Sequence, residues 1–393
     1  MQEALHISPV AWGWVVGIFT VSYAAFEIPS GALGDRLGPR RVLTRIVLWW
    51  SGFTSLTGMV TGLYPLLLTR FFFGMGEAGA FPNAGVAVAR WFPLHERGRA
   101  FGIILMASQL GGAIAPLLVV PIQIHYGWRA SFFVFGILGV VWSAVWYRWF
   151  RDTPAEKTGV SQAELEETRR LPAKAQHNLP WKIAIRSGNL WSVMGVAFCY
   201  FYVQYFFQSW FHTYLVKSRG YSENDLLLSS LPFLVGACAN LGGGLASNTL
   251  VKKLGLTWGR RSIGFVGLGI SAVCTVGVLF TQQQFGALIL LSLIYGGITF
   301  QQPSVLAVCL DIGGEYAGAV LGAMNTASQI GSFVSSVAFG YLVDYYGSYN
   351  APFIPMVALL LIGAWLWLKV HPSQALIPRL QAVTTVGMPV DAG

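Results

Sequence analysis

Apolar residues run along the chain in long stretches, separated by short polar joints. A stretch of about 20 apolar residues matches the hydrocarbon thickness of a bilayer. The pattern predicts eleven such spans, at about 10–33, 42–62, 64–92, 99–122, 130–150, 188–215, 226–250, 262–281, 284–310, 316–343 and 350–370. The joints set the orientation, because basic residues concentrate on the cytoplasmic side. If 34–41 lies inside, so does every Lys and Arg except Arg129, Lys217 and Arg219 outside and Arg70 within a span. The C-terminus is then cytoplasmic. One long polar stretch, 151–187, interrupts the pattern as a cytoplasmic linker. In it Ser161 and Glu164 form a capping box that opens a short amphipathic helix. The tail, 372–393, lacks strong periodicity and reads as disordered.

Composition agrees. The 393 residues are 54% hydrophobic and only 10% charged, where soluble domains carry about 25% charge. The chain is therefore an all-α polytopic membrane protein. Its net charge of +9 follows from topology, which removes nucleic acid as a partner. Cys199, Cys238, Cys274 and Cys309 all sit in apolar runs without metal-ligand spacing. The start, MQEALHISPVAWGW, has no basic segment and no cleavage site of a signal peptide. No Walker A loop, HExxH or GxSxG is present. The sequence thus predicts no metal, no cofactor and no catalytic residues; it does not read as an enzyme.

The chain also repeats itself. At an offset of 220, Arg40-Arg41 meets Arg260-Arg261, Gly102 meets Gly322, and ASQLG at 107–111 meets ASQIG at 327–331. HYG at 125–127 meets YYG at 345–347. Two related bundles are expected: 1–150 with five helices, and 188–371 with six. Such pairs hold a substrate site between them at mid-membrane. On the same offset Met1 meets Tyr221, between two helices, so the repeat implies a twelve-span ancestor whose first helix is lacking here.

GALGDRLGPRR, residues 31–41, resembles the G-x-x-x-D-R-x-G-R-R signature of the major facilitator superfamily. Gly31, Asp35, Arg36, Gly38, Arg40 and Arg41 would then form its cytoplasmic gating motif. Independently of the family, Gly31 permits close helix contact, Asp35 can accept hydrogen bonds, and the arginines hold the loop inside. The second copy, GGLASN, puts Asn248 where the acid would be. RFFFGMGEAGAFPNAGVAVARWFPLHERGRAFGI (70–103) and GAMNTASQIGSF (322–333) are similar to the anion:cation symporter branch. That branch includes bacterial transporters of hexonates, hexuronates and glucarate. The resemblance spans Met1 to about residue 371 and implies the major facilitator fold in the cell inner membrane. It also implies proton-coupled uptake of a small organic anion by alternating access. The lacking first helix keeps open a second possibility, a truncated non-transporting remnant or scaffold of the same fold.

Within the oily run 64–92, Arg70 and Glu77 are seven residues apart, so on a helix they share a face about 10 Å apart along the axis. A charge at helix centre costs several kcal/mol, so such residues face a cavity or a partner. Arg70 is the expected carboxylate clamp, since its fork binds bidentately, and Glu77 the expected proton carrier; a structural Arg–Glu network is the other possibility. By the resemblance, Tyr23 faces the cavity and hydrogen-bonds substrate hydroxyls. Asn325, Ser108 and Gln109 either bind substrate or join helices. Glu27 is either a proton relay or a polar contact near the helix end, with a loop Arg as the candidate partner. Gln301, Gln302, Tyr205, Gln208 and Trp210 are weaker candidates for the cavity wall.

Overall fold

The computed structural model describes residues 1–2, 4–92, 94–161, 181–222, 224–313 and 317–376. The proposed capping box at Glu164, most of the linker and the tail from 377 lie outside the described residues.

Helix α1 spans Pro9–Leu37. Ser8 caps it by accepting from the Ala11 N–H at 3.2 Å, and Pro9 at the first position has no N–H to leave unpaired. It ends at Gly38, whose φ of +83° suits glycine. Helix α2, Pro39–Thr57, follows at once. The predicted run 64–92 divides into α3, Leu63–Glu77, and α4, Ala80–Trp91. The break is at Gly79, at φ +86°. A Cβ there would press on Ser30 of α1, and Asn83 donates to the Ser30 carbonyl at 3.2 Å and to the Gly79 carbonyl at 2.7 Å. The kink thus lets α4 dock on α1. Helices α5, Leu94–Tyr126, and α6, Trp128–Trp149, complete this half.

After a single turn, α7, Trp181–Ala184, the run 188–215 divides at Trp210 into α8, Gly188–Ser209, and α9, Phe211–Arg219. Helix α10, Leu231–Phe280, covers two predicted spans and bends at Gly255, where φ is +78°. Helices α11, Gln284–Gly313, α12, Ala317–Tyr346, and α13, Phe353–Lys369, follow. Every described element is helical. Among the described residues, α1, α5, α6, α8, α10 and α11 contain stretches long and apolar enough to cross a membrane, and α13 is a shorter apolar helix. Of the remaining predicted spans, α2 carries charge, α3 and α4 are separated by a break, and α12 is continuous but rich in Ser, Asn and Gln.

Polarity is inverted relative to a soluble protein. On α6, Ile137 is 64% exposed and Val145 61%, while Ser143 is 1% exposed. On this helix the large apolar side chains point outward, as a lipid surface requires. Its inward face, Ser131, Gly136 and Ser143, is made of small residues, which let backbones approach. Gly136 and Gly139 of α6 lie against Ser55 and Ser51 of α2, and Gly243 of α10 lies against the Phe300 carbonyl of α11. Ser328, Ser332 and Ser336 form a buried row on α12, each donating to the carbonyl four residues earlier at 2.9–3.0 Å. The largest core joins helices α8 to α13 around stacked aromatics, with Trp210 and Phe339 rings 4.7 Å apart.

Helix α1 crosses to the other half along α12. Gly340 meets the Pro9 backbone, Gly13 the Ser336 carbonyl, and Gly17 the Phe333 ring. This seam is antiparallel, running from Pro9 toward Gly17 on α1 and from Gly340 back to Phe333 on α12.

Adding a methyl at Gly243 forces α10 away from α11. Gly243→Ala is expected to cost about 1–3 kcal/mol and lower the thermal midpoint in detergent by several degrees. Gly242→Ala, where a Cβ meets open space, should leave it unchanged or slightly raised.

Candidate functional site

Helix α3 is continuous from Leu63 to Glu77, so Arg70 and Glu77 keep their common face about 10 Å apart along the axis. Both are half-buried. Arg70 holds its guanidinium 5.8 Å from the Phe73 ring centre and lies within electrostatic reach of Tyr205 and Glu77. Among the described residues it has no acid within ion-pair distance. A structural Arg–Glu bridge therefore does not hold this helix. Glu77 is the last residue of α3, where the carbonyl ends of the helix dipole oppose a carboxylate.

Helix α1 supplies the adjacent wall. Ser22 lies against Gly74 and Ser30 against Gly79. Interpolating between these contacts puts Glu27 level with Glu77. Tyr23 is buried and within electrostatic reach of both acids. Glu27 accepts at both oxygens from Asn325 Nδ2, each at 2.7 Å. The partner of Glu27 is thus Asn325 of α12 rather than a loop Arg. Among the described residues, Arg70 lies about two turns from the layer that holds the Glu27 and Glu77 carboxylates, and Arg45 donates to Ser30, one turn beyond Glu27, at 2.9 Å.

A second polar chain crosses between the halves. Tyr295 of α11 donates to Gln109 of α5 at 3.2 Å. Tyr295 also bonds Gln204 of α8, Gln302 donates to Gln204 at 2.8 Å, and Asn240 donates to Gln302 at 3.1 Å. Gln204, Tyr295 and Asn240 went unnoticed in the sequence, where each is a single polar residue in an apolar run. Ser108 is exposed beside Gln109. Tyr205 is buried close to Arg70 and Glu77, and Gln208 is exposed. Two of the weaker candidates are structural instead. Trp210 is fully buried and donates to the Ser336 carbonyl at 3.2 Å. Gln301 is fully buried and accepts from Trp367 at 3.1 Å.

The 31–41 motif lies where α1 turns into α2. Its backbone is helical through Asp35 and Arg36, whose side chains lie outside the described set. The acid that caps α2 is Asp152, beyond the end of α6: it accepts from the Arg40 N–H at 2.8 Å. Arg40 also donates to the Tyr147 carbonyl and stacks 4.3 Å over the Tyr147 ring. A Cβ at Gly38 would strike the Asp152 carboxylate. Arg41 is exposed and lines an open groove of about 500 Å³ with Arg45 and Trp49. In the second half Arg260 pairs with Asp311 at 3.4 Å and donates to Ser247 at 2.8 Å.

The family model described as Major Facilitator Superfamily matches residues 1–336. The chain belongs to the major facilitator superfamily. It is a membrane transporter and not an enzyme. Among its curated relatives is a probable sulfoacetate transporter of Cupriavidus necator, 36% identical, covering 95% of this chain and 87% of that one. A probable galactarate/D-glucarate transporter of Bacillus subtilis is 30% identical, covering 93% and 83%. A D-galactonate transporter of Escherichia coli is 29% identical, covering 93% and 87%. These are relatives of the organic-anion type that the sequence resembles. In fold, this major facilitator superfamily chain is similar to a bacterial homologue of the human lysosomal transporter Spinster in an inward-facing, occupied conformation. The TM-score is 0.74 at 19% identity, covering 94% of this chain and 90% of that one.

Gln301→Ala leaves the buried Trp367 N–H without an acceptor, at a cost of about 1–3 kcal/mol. Its thermal midpoint should fall while the KM for any transported solute stays within about twofold; a large KM change with unchanged stability would place Gln301 in the site instead.

Proposed function

We propose that this chain is a secondary transporter that takes up a small organic anion, a sugar acid or similar carboxylate, together with protons. The observation that carries it is Arg70: a guanidinium on an apolar helix, lying against a ring face, with no acid of its own among the described residues. Arginine stays charged at working pH and presents a planar fork that fits a carboxylate. The relatives named above, whose names specify sulfoacetate, galactarate, glucarate and galactonate, support an anion of this class. Glu77, at the carbonyl end of α3, carries the proton. Tyr23, Tyr205, Ser108, Gln109 and Asn325 surround the solute.

In this reading the chain crosses the cell inner membrane eleven times with its C-terminus in the cytoplasm. Residues 1–150 and 188–371 form two bundles, with 151–187 the linker between them and 372–393 the cytoplasmic tail. Alternating access is the rocking of these bundles about the site. The motif at 31–41, with Arg40 held by Asp152 and Tyr147, gates the cytoplasmic side. A monoanion entering with more than one proton carries net positive charge inward, so a negative interior drives it.

Uptake of labelled sugar acid into proteoliposomes tests both roles. A gradient acidic outside should accelerate uptake by the unaltered chain. Arg70→Ala should abolish uptake at every pH, and Arg70→Lys should lower it about tenfold or more, since the fork is lost. Glu77→Gln should keep solute exchange and lose acceleration by the gradient. Normal uptake in Arg70→Ala would refute the clamp, and unchanged gradient dependence in Glu77→Gln would refute the proton role.

A further inference from the structure

Glu27 has no use in the scheme above, yet it occupies the same layer as Glu77 and is half-buried. Its carboxylate holds Asn325 through both oxygens. Two acceptor oxygens facing one amide nitrogen match the pattern of an ionised carboxylate. The Asn325 amide keeps a second N–H and its carbonyl oxygen, and the Glu27 oxygens keep further lone pairs. Together they can accept a hydrogen bond from one hydroxyl and donate one to the next. This is a recognition surface for a polyol chain.

Charge placement adds a constraint. Arg70 lies about two helical turns outward of this layer, so a solute whose carboxylate sits on Arg70 directs its other end toward Glu27. A hydroxyl there gains hydrogen bonds. A second carboxylate there meets an anion in a poorly screened space, where like charges repel far more strongly than in water. Among the described residues no cation forms an ion pair with Glu27 to relieve it: its partners are Asn325 and, electrostatically, Tyr23, while Arg45, one turn beyond, is engaged with the Ser30 hydroxyl at 2.9 Å.

We propose that Glu27 and Asn325 form the hydroxyl-binding end of the site, and that the Glu27 carboxylate makes the chain select polyhydroxy monoanions over dianions. This rests on Arg70 as the carboxylate clamp. Glu27 is then a specificity residue, set apart from proton coupling at Glu77.

Galactonate and galactarate make a matched pair of probes, since they differ only in a terminal hydroxymethyl or carboxylate. Their equilibrium binding to the purified full chain at pH 8 is the test, with folding checked by thermal midpoint. The unaltered chain should bind galactonate at least about tenfold more tightly than galactarate. Glu27→Gln, which keeps the shape and removes the charge, should bring the two within about threefold, chiefly by admitting galactarate. Glu27→Asp, which keeps the charge, should preserve the discrimination and provides a second folded variant. Equal binding of both acids by the unaltered chain, lost in Arg70→Ala, would overturn the role of Glu27 and leave the clamp standing. A ratio unmoved by Glu27→Gln would do the same. Binding of neither acid would overturn both.

Discussion

A helix surrounded by lipid can satisfy its backbone only within itself, and its neighbours gain nothing by burying oil against oil. Everything else in this protein follows from that constraint. Helices are held together by close approach, so glycine and serine line many of the contacts, while large apolar side chains divide between an aromatic core and the lipid-facing surface. Gly136 against Ser55 and Gly243 against the Phe300 carbonyl are the positions where this matters most. Many side-chain hydroxyls, those of Ser143, Thr275 and Ser292 among them, bond to carbonyls of their own helix and so satisfy themselves without help from lipid.

The same constraint makes the few exceptions informative. An ionisable group can persist among these helices only where water, a partner or a solute reaches it. Arg70 and Glu77 lie on α3 and Glu27 and Asn325 bond between α1 and α12, with α1 packed against both α3 and α12. Polar side chains at Gln109, Gln204, Tyr295, Gln302 and Asn240 bond in series across α5, α8, α11 and α10. Polarity in the bundle is therefore organised into connected chains, and isolated polar residues such as Gln301 end on a single structural partner.

Much of this was legible in the sequence. Each apolar run becomes helix, because length and hydrophobicity decide that outcome with little help from neighbours. The common face of Arg70 and Glu77 follows from spacing alone. What was hidden depends on tertiary packing. The Glu27–Asn325 bond joins residues 298 positions apart, and no local pattern marks either as the partner of the other. Asp152 caps a helix by accepting from the N–H of Arg40, 112 positions earlier. The break after Glu77 looked like uninterrupted span because Gly79 is one glycine among several; it is the docking of Asn83 on Ser30 that requires the left-handed turn there.

The serine row of α12 bears on movement. Ser328, Ser332 and Ser336 spend their hydroxyl protons on carbonyls of their own helix, so none is committed to the facing helix. Along the outer part of the seam, α1 meets α12 through glycines, backbone and the Phe333 ring. Separating those surfaces gives up dispersion contacts and breaks none of the serine bonds. That stretch of the seam is a dry contact, and parting it would strand no serine hydroxyl. Among the described residues, the side-chain hydrogen bonds between α1 and α12 are those of the Glu27–Asn325 pair, so polarity ties the two helices at one level and packing alone joins them at the other.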